Sequence, residues 1–241
     1  MVLISVIIPA FNTQDYIIKA ISSVVNQTFK NWELIIIDDK STDKTYSIVK
    51  NFIDKNKLNH KIRIIKNSKN KGCYYSLNTG IKNAKGKYIS WLGSDDVYHK
   101  NKLNIQKKIL NKNKNTVATI SLYKRNSKVK GKRRNGVCTI MFRKNIIKKI
   151  GYFDSVRFGA DDEFNHRLHK IYKQKRIKML RKVLYFAITR SNSLTTCRKT
   201  GFKKPYRKRY VNSYKRWHLK KKLYMQFPLK KRPFKVPNIM L

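Results

Sequence analysis

The chain has 241 residues, 41% of them hydrophobic, enough for one sizeable α/β domain with a full core and too apolar for a disordered chain. No apolar run reaches the roughly 18 residues that span a bilayer, and the start MVLISVIIPAFN lacks a basic leader, so it reads as a first strand rather than a signal peptide. With 58 Lys+Arg against 12 Asp+Glu the net charge is +46, which admits a polyanion or an anionic membrane surface as partner; the excess of lysine and asparagine along the whole chain fits codon bias in an AT-rich genome, which explains most of the charge but not the denser C-terminal run.

The first half alternates strand and helix signals. Ile4 to Ile8 is a short β-branched run, hence a buried strand. Thr13 is a candidate N-cap for a helix with Ile17, Ile18, Ile21, Val24 and Val25 on one face. Glu33 to Ile37 is a second strand, ending in Asp38-Asp39. Ser41 can cap a helix whose inner face is Tyr46, Val49, Phe52 and Ile53. Ile62 to Ile65 is a third strand, and Asn70-Lys71-Gly72 a turn. A helix over about 74–84 leads into the strand Tyr88 to Leu92. The repetition predicts a mostly parallel central sheet with helices on both faces.

The second half is less regular. Residues 100–110 read as a helix, 116–123 and 137–142 as strands, 145–150 as a short helix closed by Gly151, 161–172 as a helix, and 183–188 as a final strand. A basic loop, SKVKGKRRNG, lies between the first two strands. Cys73, Cys138 and Cys197 are far apart with no metal-ligand spacing, which reads as free thiols in a reducing, cytoplasmic compartment.

Three acidic features fall at or near strand ends, where open α/β sheets bind ligands. They are Asp38-Asp39, Asp95-Asp96 and Asp161-Asp162-Glu163. Each alone is explained by helix capping. Two Asp-Asp pairs exceed what capping requires, and paired carboxylates suit a hard divalent cation, Mg²⁺ or Mn²⁺, with a diphosphate.

The strings ISVIIPAFN, ELIIIDDKSTD, NKG, GKYISWLGSDD and IGYFDSVRFGADDEFNHRL, in this order over residues 3–195, resemble a family 2 glycosyltransferase of the GT-A fold. That resemblance implies an inverting, metal-dependent enzyme that moves a sugar from a nucleotide sugar, typically UDP-linked, to a hydroxyl of a glycan, lipid-linked glycan or protein. It implies that Pro9, Phe11 and Asn12 shape the nucleotide pocket, with Phe11 facing the base. Asp39 would bond the base, Asn70 and Gly72 would approach the nucleotide sugar, Asp95 would face ribose or sugar, and Asp96 would meet the metal. The catalytic base would be Asp161, which keeps the family spacing to Glu163, Phe164 and Arg167 with Ala160 in place of the usual glutamate; a slip of one residue makes it Asp162. Lys40 replaces a residue that often has unusual backbone angles. Ser76-Leu77-Asn78 departs from the usual Ala-Arg-Asn. Arg190, ahead of Ser193-Leu194-Thr195, stands where a metal-binding histidine is common and could contact the diphosphate directly.

These features divide the chain into a GT-A catalytic domain, 1–196, and a basic aromatic extension, 197–241. Within the domain, 1–98 would bind the nucleotide sugar and 99–196 would carry the acceptor and the base. For the extension three readings stand: aromatics packed on the domain; peripheral contact with an anionic membrane through Trp217, Tyr224 and Phe227; or single-stranded nucleic acid, for which no known motif speaks. His166, His169 and His218 read as solvated. The alternative to an enzyme is a degenerate GT-A fold that binds nucleic acid or another polyanion.

Overall fold

The structure, a computed structural model, describes residues 2–126, 134–188, 204–220 and 222–241. Arg190, Ser193 to Thr195, Cys197 and most of the basic loop lie outside these residues.

Strand β1 (Ile4–Ala10) is the centre of the first half. It pairs in parallel with β2 (Trp32–Asp38) on one side and β4 (Tyr88–Trp91) on the other, so Ile7 faces both Ile35 and Trp91. β3 (Ile62–Lys66) adds outside β2. Every residue of β1 and β2 is buried, as a sheet covered on both faces demands. Helices α1 (Ile17–Val25), α2 (Thr45–Lys55) and α3 (Cys73–Asn83) make the crossovers.

The period-two alternation of β1 divides the core. Val6 and Ile8 pack with Ile21, Val24, Val49 and Leu103 on one face. Ile7 packs with Leu77, Ile81, Phe142 and Phe164 on the other. A Cβ on Gly80 would stand 2.3 Å from Ile7 Cγ2, so glycine lets α3 approach the sheet.

The second half breaks the parallel order. After the short β5 (Val97–Tyr98) and α4 (Lys102–Lys112) come β6 (Ala118–Asn126), β7 (Arg134–Asn135) and β8 (Met141–Arg143). β8 runs antiparallel to both β4 and β6, and β9 (Ile177–Ile188) runs parallel to β6. Among the described residues the strand order is β3-β2-β1-β4-β8-β6-β9-β5, with β7 beside β6. The strand expected over 137–142 begins only at Met141. Val137–Thr139 forms a 3-10 turn instead, because Thr139 Oγ1 accepts from Ser121 N at 2.9 Å and takes the place of a ladder bond.

The two expected N-caps are corrected. α1 starts four residues after Thr13, whose carbonyl accepts from Tyr16 N and Ile17 N. α2 starts at Thr45, and Ser41 Oγ accepts from Asn12 N at 3.1 Å. The Ser41 hydroxyl shapes the loop beyond the strand end, Thr13 takes part through its backbone alone, and neither hydroxyl caps its helix.

The short α5 (Ile147–Ile150) and the longer α6 (Ala160–Tyr172) precede β9. The chain after residue 204 joins the core. α7 (Pro205–Trp217) opens with proline at its first turn, a favoured place. Its Tyr210 and Tyr214 are part of the same cluster as Phe164 and Leu168 of α6. Trp217 is 4% exposed, and Phe227 packs on Tyr75 and Tyr152. Of the three readings of this segment, packing on the domain holds for these aromatics; Trp217 is unavailable to a membrane. His218, expected in solvent, is buried. Among the described residues no helix is long and apolar enough to cross a membrane.

Candidate active site

Ten of the eleven predicted site residues line one cleft of about 920 Å³ at the carboxyl ends of β1, β2 and β4. They are Pro9, Phe11, Asn12, Asp39, Asn70, Gly72, Asp95, Asp96, Asp161 and Asp162; Arg190 is outside the described residues.

The β1 and β2 ends are tied together. Asn12 has φ 49° and Lys40 φ 63°, left-handed conformations that cost a non-glycine residue about 1 kcal/mol or more. Asn12 holds its turn by accepting from Thr42 N at 2.9 Å and donating to Thr42 Oγ1 at 3.1 Å. Lys40 therefore keeps the backbone shape that its replacement put in question. Phe11 is 43% exposed in the cleft wall. An aromatic face left open there is a surface on which a flat ring can stack.

Asp39 organises the neighbouring loop. Its Oδ2 accepts from Gly72 N at 2.7 Å, and its Oδ1 from Lys71 N at 3.0 Å and Asn67 Nδ2 at 2.7 Å. Gly72 has φ +88°, which glycine adopts without strain. Asp38 points elsewhere: it is buried, with Oδ2 3.3 Å from Ser41 N and Oδ1 unpaired.

Asp95 and Asp96 follow β4 through Gly93-Ser94. Asp96 is held by β9: Tyr185 Oη donates to its Oδ2 at 2.5 Å and Ile188 N to its Oδ1 at 2.8 Å. Burial and then the charge of Asp95 push its carboxyl up to about 7, against the hydrogen bonds and the charge of Arg125. Two adjacent carboxylates that raise one another's proton affinity fit a hard divalent cation. Among the described residues no group of three or more His, Cys, Asp or Glu side chains gathers. A cation held by this pair would take its other ligands from water and substrate phosphates, as Mg²⁺ does.

Asp161 and Asp162 lie in the first turn of α6. Tyr74 Oη, from α3, donates to Asp161 Oδ1 at 2.6 Å. Tyr74 is itself stacked on Phe153 and edge-on to Trp91. Asp162 is raised to about 6 by partial burial and by Asp161, with Arg207 opposing. Glu163 turns the other way, into the core. Arg167 Nε and Nη2 donate to its two oxygens at 2.8 Å, and His218 Nε2 donates at 2.9 Å. Arg167 also donates to the carbonyls of Ile150 and Tyr152. Burial raises the Glu163 carboxyl, but these partners more than offset it and leave it below the ordinary range.

Sequence reasoning did not single out Tyr74, Tyr185, Arg125, Arg157 or Arg207, all of which line the cleft. Arg157 stood inside a quoted motif without a role. Tyr185 belongs to an apolar strand pattern that gives no hint of its partner. His169, expected in solvent, also lines the cleft.

The Glycosyl transferase family 2 sequence model matches residues 5–238, past the last motif near residue 195. The Escherichia coli protein named UDP-Glc:alpha-D-GlcNAc-diphosphoundecaprenol beta-1,3-glucosyltransferase WfgD is 40% identical over 111 residues, 46% of this chain and 42% of its own length. An uncharacterized glycosyltransferase of Rickettsia prowazekii is 46% identical over 110 residues, 46% of this chain and 32% of that protein. The chain thus spans less than half the length of either relative. Staphylococcus aureus TarS 1-349, crystallised with UDP-GlcNAc, superposes with a TM-score of 0.68 at 24% identity, over 79% of this chain and 60% of that one. The mannosyltransferase PcManGT of Pyrobaculum calidifontis, crystallised with GDP-Man and Mn²⁺, gives 0.61 at 16% identity, over 82% and 58%. The fold is GT-A, and the chain belongs to family 2 of the glycosyltransferases.

Proposed function

We propose that the protein transfers a sugar from a UDP-sugar to a hydroxyl of a glycan or lipid-linked glycan, by a single inverting displacement assisted by Mn²⁺ or Mg²⁺. The observation that carries this reading is the convergence of two acid pairs, Asp95-Asp96 and Asp161-Asp162, on one cleft whose rim holds Phe11 and the Asp39-bound loop. The names of WfgD and TarS support a UDP-linked donor, and the PcManGT complex supports the cation.

Residues 1–98 then form the donor half and 99–196 the acceptor half. Phe11 stacks on the base, with Pro9 and Asn12 fixing its turn. Asp39 holds the Asn70–Gly72 loop beside the nucleotide and retains one lone-pair site, on Oδ2, for the base N–H. Asp95 faces the ribose or sugar, and Asp96 with it would hold the cation, which supplies charge neutralisation for the departing diphosphate. Asp161, oriented by Tyr74, accepts the proton of the acceptor hydroxyl as that oxygen attacks the anomeric carbon. Tyr74 has the acidity to stay protonated throughout: burial and the charge of Asp161 push it well above the usual tyrosine range. Clustered carboxylates in the cleft disfavour a polyanion as its occupant.

The test is a donor screen. Purified protein is offered a panel of nucleotide sugars with Mn²⁺ or with EDTA, and released nucleoside diphosphate is measured. Release from one donor, only with metal and lost in Asp96→Asn, is the expected result. Metal-independent release, or full activity of Asp96→Asn, would refute the assignment.

A further inference from the structure

Arg157 spans the cleft wall between the donor loop and the base-bearing helix. Its backbone N–H donates to the Met240 carbonyl at 2.7 Å, which fixes the residue against the buried end of the chain. Its Nη1 donates to Asn70 Oδ1 at 2.6 Å. Its Cγ and Cα lie 3.1 and 3.2 Å from where a Cβ on Gly72 would stand. The side chain therefore lies on the donor loop while its backbone belongs to the segment that leads into Asp161.

A guanidinium carries five N–H groups. Among the described residues the bond to Asn70 is the one that Arg157 makes through its side chain, and the side chain lines the cleft and is exposed. The remaining donors lie in one plane and suit paired oxygens, either vicinal hydroxyls or a carboxylate.

The position decides which part of a donor those groups meet. Asp39 marks the nucleotide end of the loop, through Gly72 N and Lys71 N. Asp161 marks the end where the acceptor hydroxyl loses its proton. The transferred sugar must lie between them, because its anomeric carbon is bonded to the diphosphate and attacked by the acceptor. Arg157 lies on the donor loop at one end of that interval, four residues ahead of Asp161 in the chain. We infer that Arg157 contacts the transferred sugar and sets donor-sugar selectivity, which rests on the glycosyltransferase reading above.

The experiment is calorimetry of UDP, UDP-glucose, UDP-GlcNAc and UDP-glucuronic acid, each with Mn²⁺, on the wild-type chain, Arg157→Ala and Arg157→Lys. Thermal unfolding of each variant monitors folding. Arg157→Ala should leave UDP affinity within about twofold and weaken the preferred UDP-sugar roughly tenfold, the scale of a charged hydrogen bond. Arg157→Lys should recover part of that loss, and preference among the three sugars should narrow in Arg157→Ala. Equal losses for UDP and UDP-sugar would make Arg157 a prop for the loop and overturn the inference. So would unchanged affinity for both. If Arg157→Ala does not fold, the same comparison in Arg157→Lys decides. Failure of the wild-type chain to bind any of the four compounds is a different outcome: it removes the UDP-linked donor proposed above.

Discussion

Tyr74 Oη donates to Asp161 Oδ1 across 2.6 Å and 87 residues of sequence. The hydroxyl comes from the helix that follows the donor loop, and the carboxylate from the helix that carries the second acid pair. Tyr74→Phe keeps the ring between Phe153 and Trp91 and deletes only this bond. Turnover should fall roughly 10- to 100-fold through loss of orientation, with UDP affinity unchanged. Steady-state kinetics beside calorimetry test this; unaltered kcat would remove Tyr74 from the mechanism.

Asp161 rather than Asp162 is proposed as the base because Asp161 accepts this bond. Asp161→Asn should lower kcat about 10³-fold or more, within the span that a general base contributes. Asp162→Asn should keep activity within roughly tenfold of wild type. A second readout follows from electrostatics. Asp161 helps to raise Asp162 to about 6, so in Asp161→Asn the Asp162 carboxyl should titrate lower. Carbon-detected NMR of the side-chain carboxyl gives that value directly, and an unchanged or higher titration point contradicts the coupling.

Glu163 links stability to pH. Its folded-state acidity is stronger than that of the ordinary glutamate, near 4.5. The stabilisation is therefore present above that value and is lost as pH falls through the lower, folded-state value. Glu163→Ala leaves Arg167 buried without its partner and should cost about 3–5 kcal/mol at pH 7. His218→Ala removes one of three hydrogen bonds and should cost about 1–3 kcal/mol. Urea unfolding at pH 7 and pH 4 is the check: the difference between wild type and His218→Ala should shrink on acidification.

Mn²⁺ should raise the thermal midpoint of the wild-type protein, because a ligand of the native state adds RT ln(1 + [L]/Kd) to its stability. Asp96→Asn should abolish the rise, and EDTA should reverse it in the wild type. Scanning fluorimetry across a Mn²⁺ series measures both. Equal rises in the two proteins would place the cation elsewhere.

Where a side chain's place in the fold depends on local pattern, the sequence disclosed it. The β-branched runs of β1 and β2 are buried at every position, and ten acids, aromatics and loop residues named from their motifs share one cleft. What stayed hidden depends on distant partners. Glu163 meets His218 55 residues on, and Asp154 meets Arg232 78 residues on; no spacing rule reaches that far. Tyr206, Tyr210, Tyr214 and Trp217 do stand at helical intervals. Basic residues crowd them more densely than in the chain as a whole, so the stripe read as well as a surface for lipid or nucleic acid as a face packed on the domain. Thr13 and Ser41 have the right chemistry for caps, but the Ser41 hydroxyl accepts from Asn12 N instead, and at Thr13 the backbone N–H donates to Thr45 Oγ1 while the hydroxyl has no partner among the described residues.

For anyone trimming this chain, the packing of α7 sets a lower bound on its working length. A fragment stopped at residue 196 would bare the Phe164 and Leu168 surface of α6. It would strip Glu163 of His218 and Asp154 of both Tyr210 and Arg232. It would also release the Arg157 backbone from Met240. Every motif of the family would survive such a cut, and the scaffold that aims the second acid pair would not.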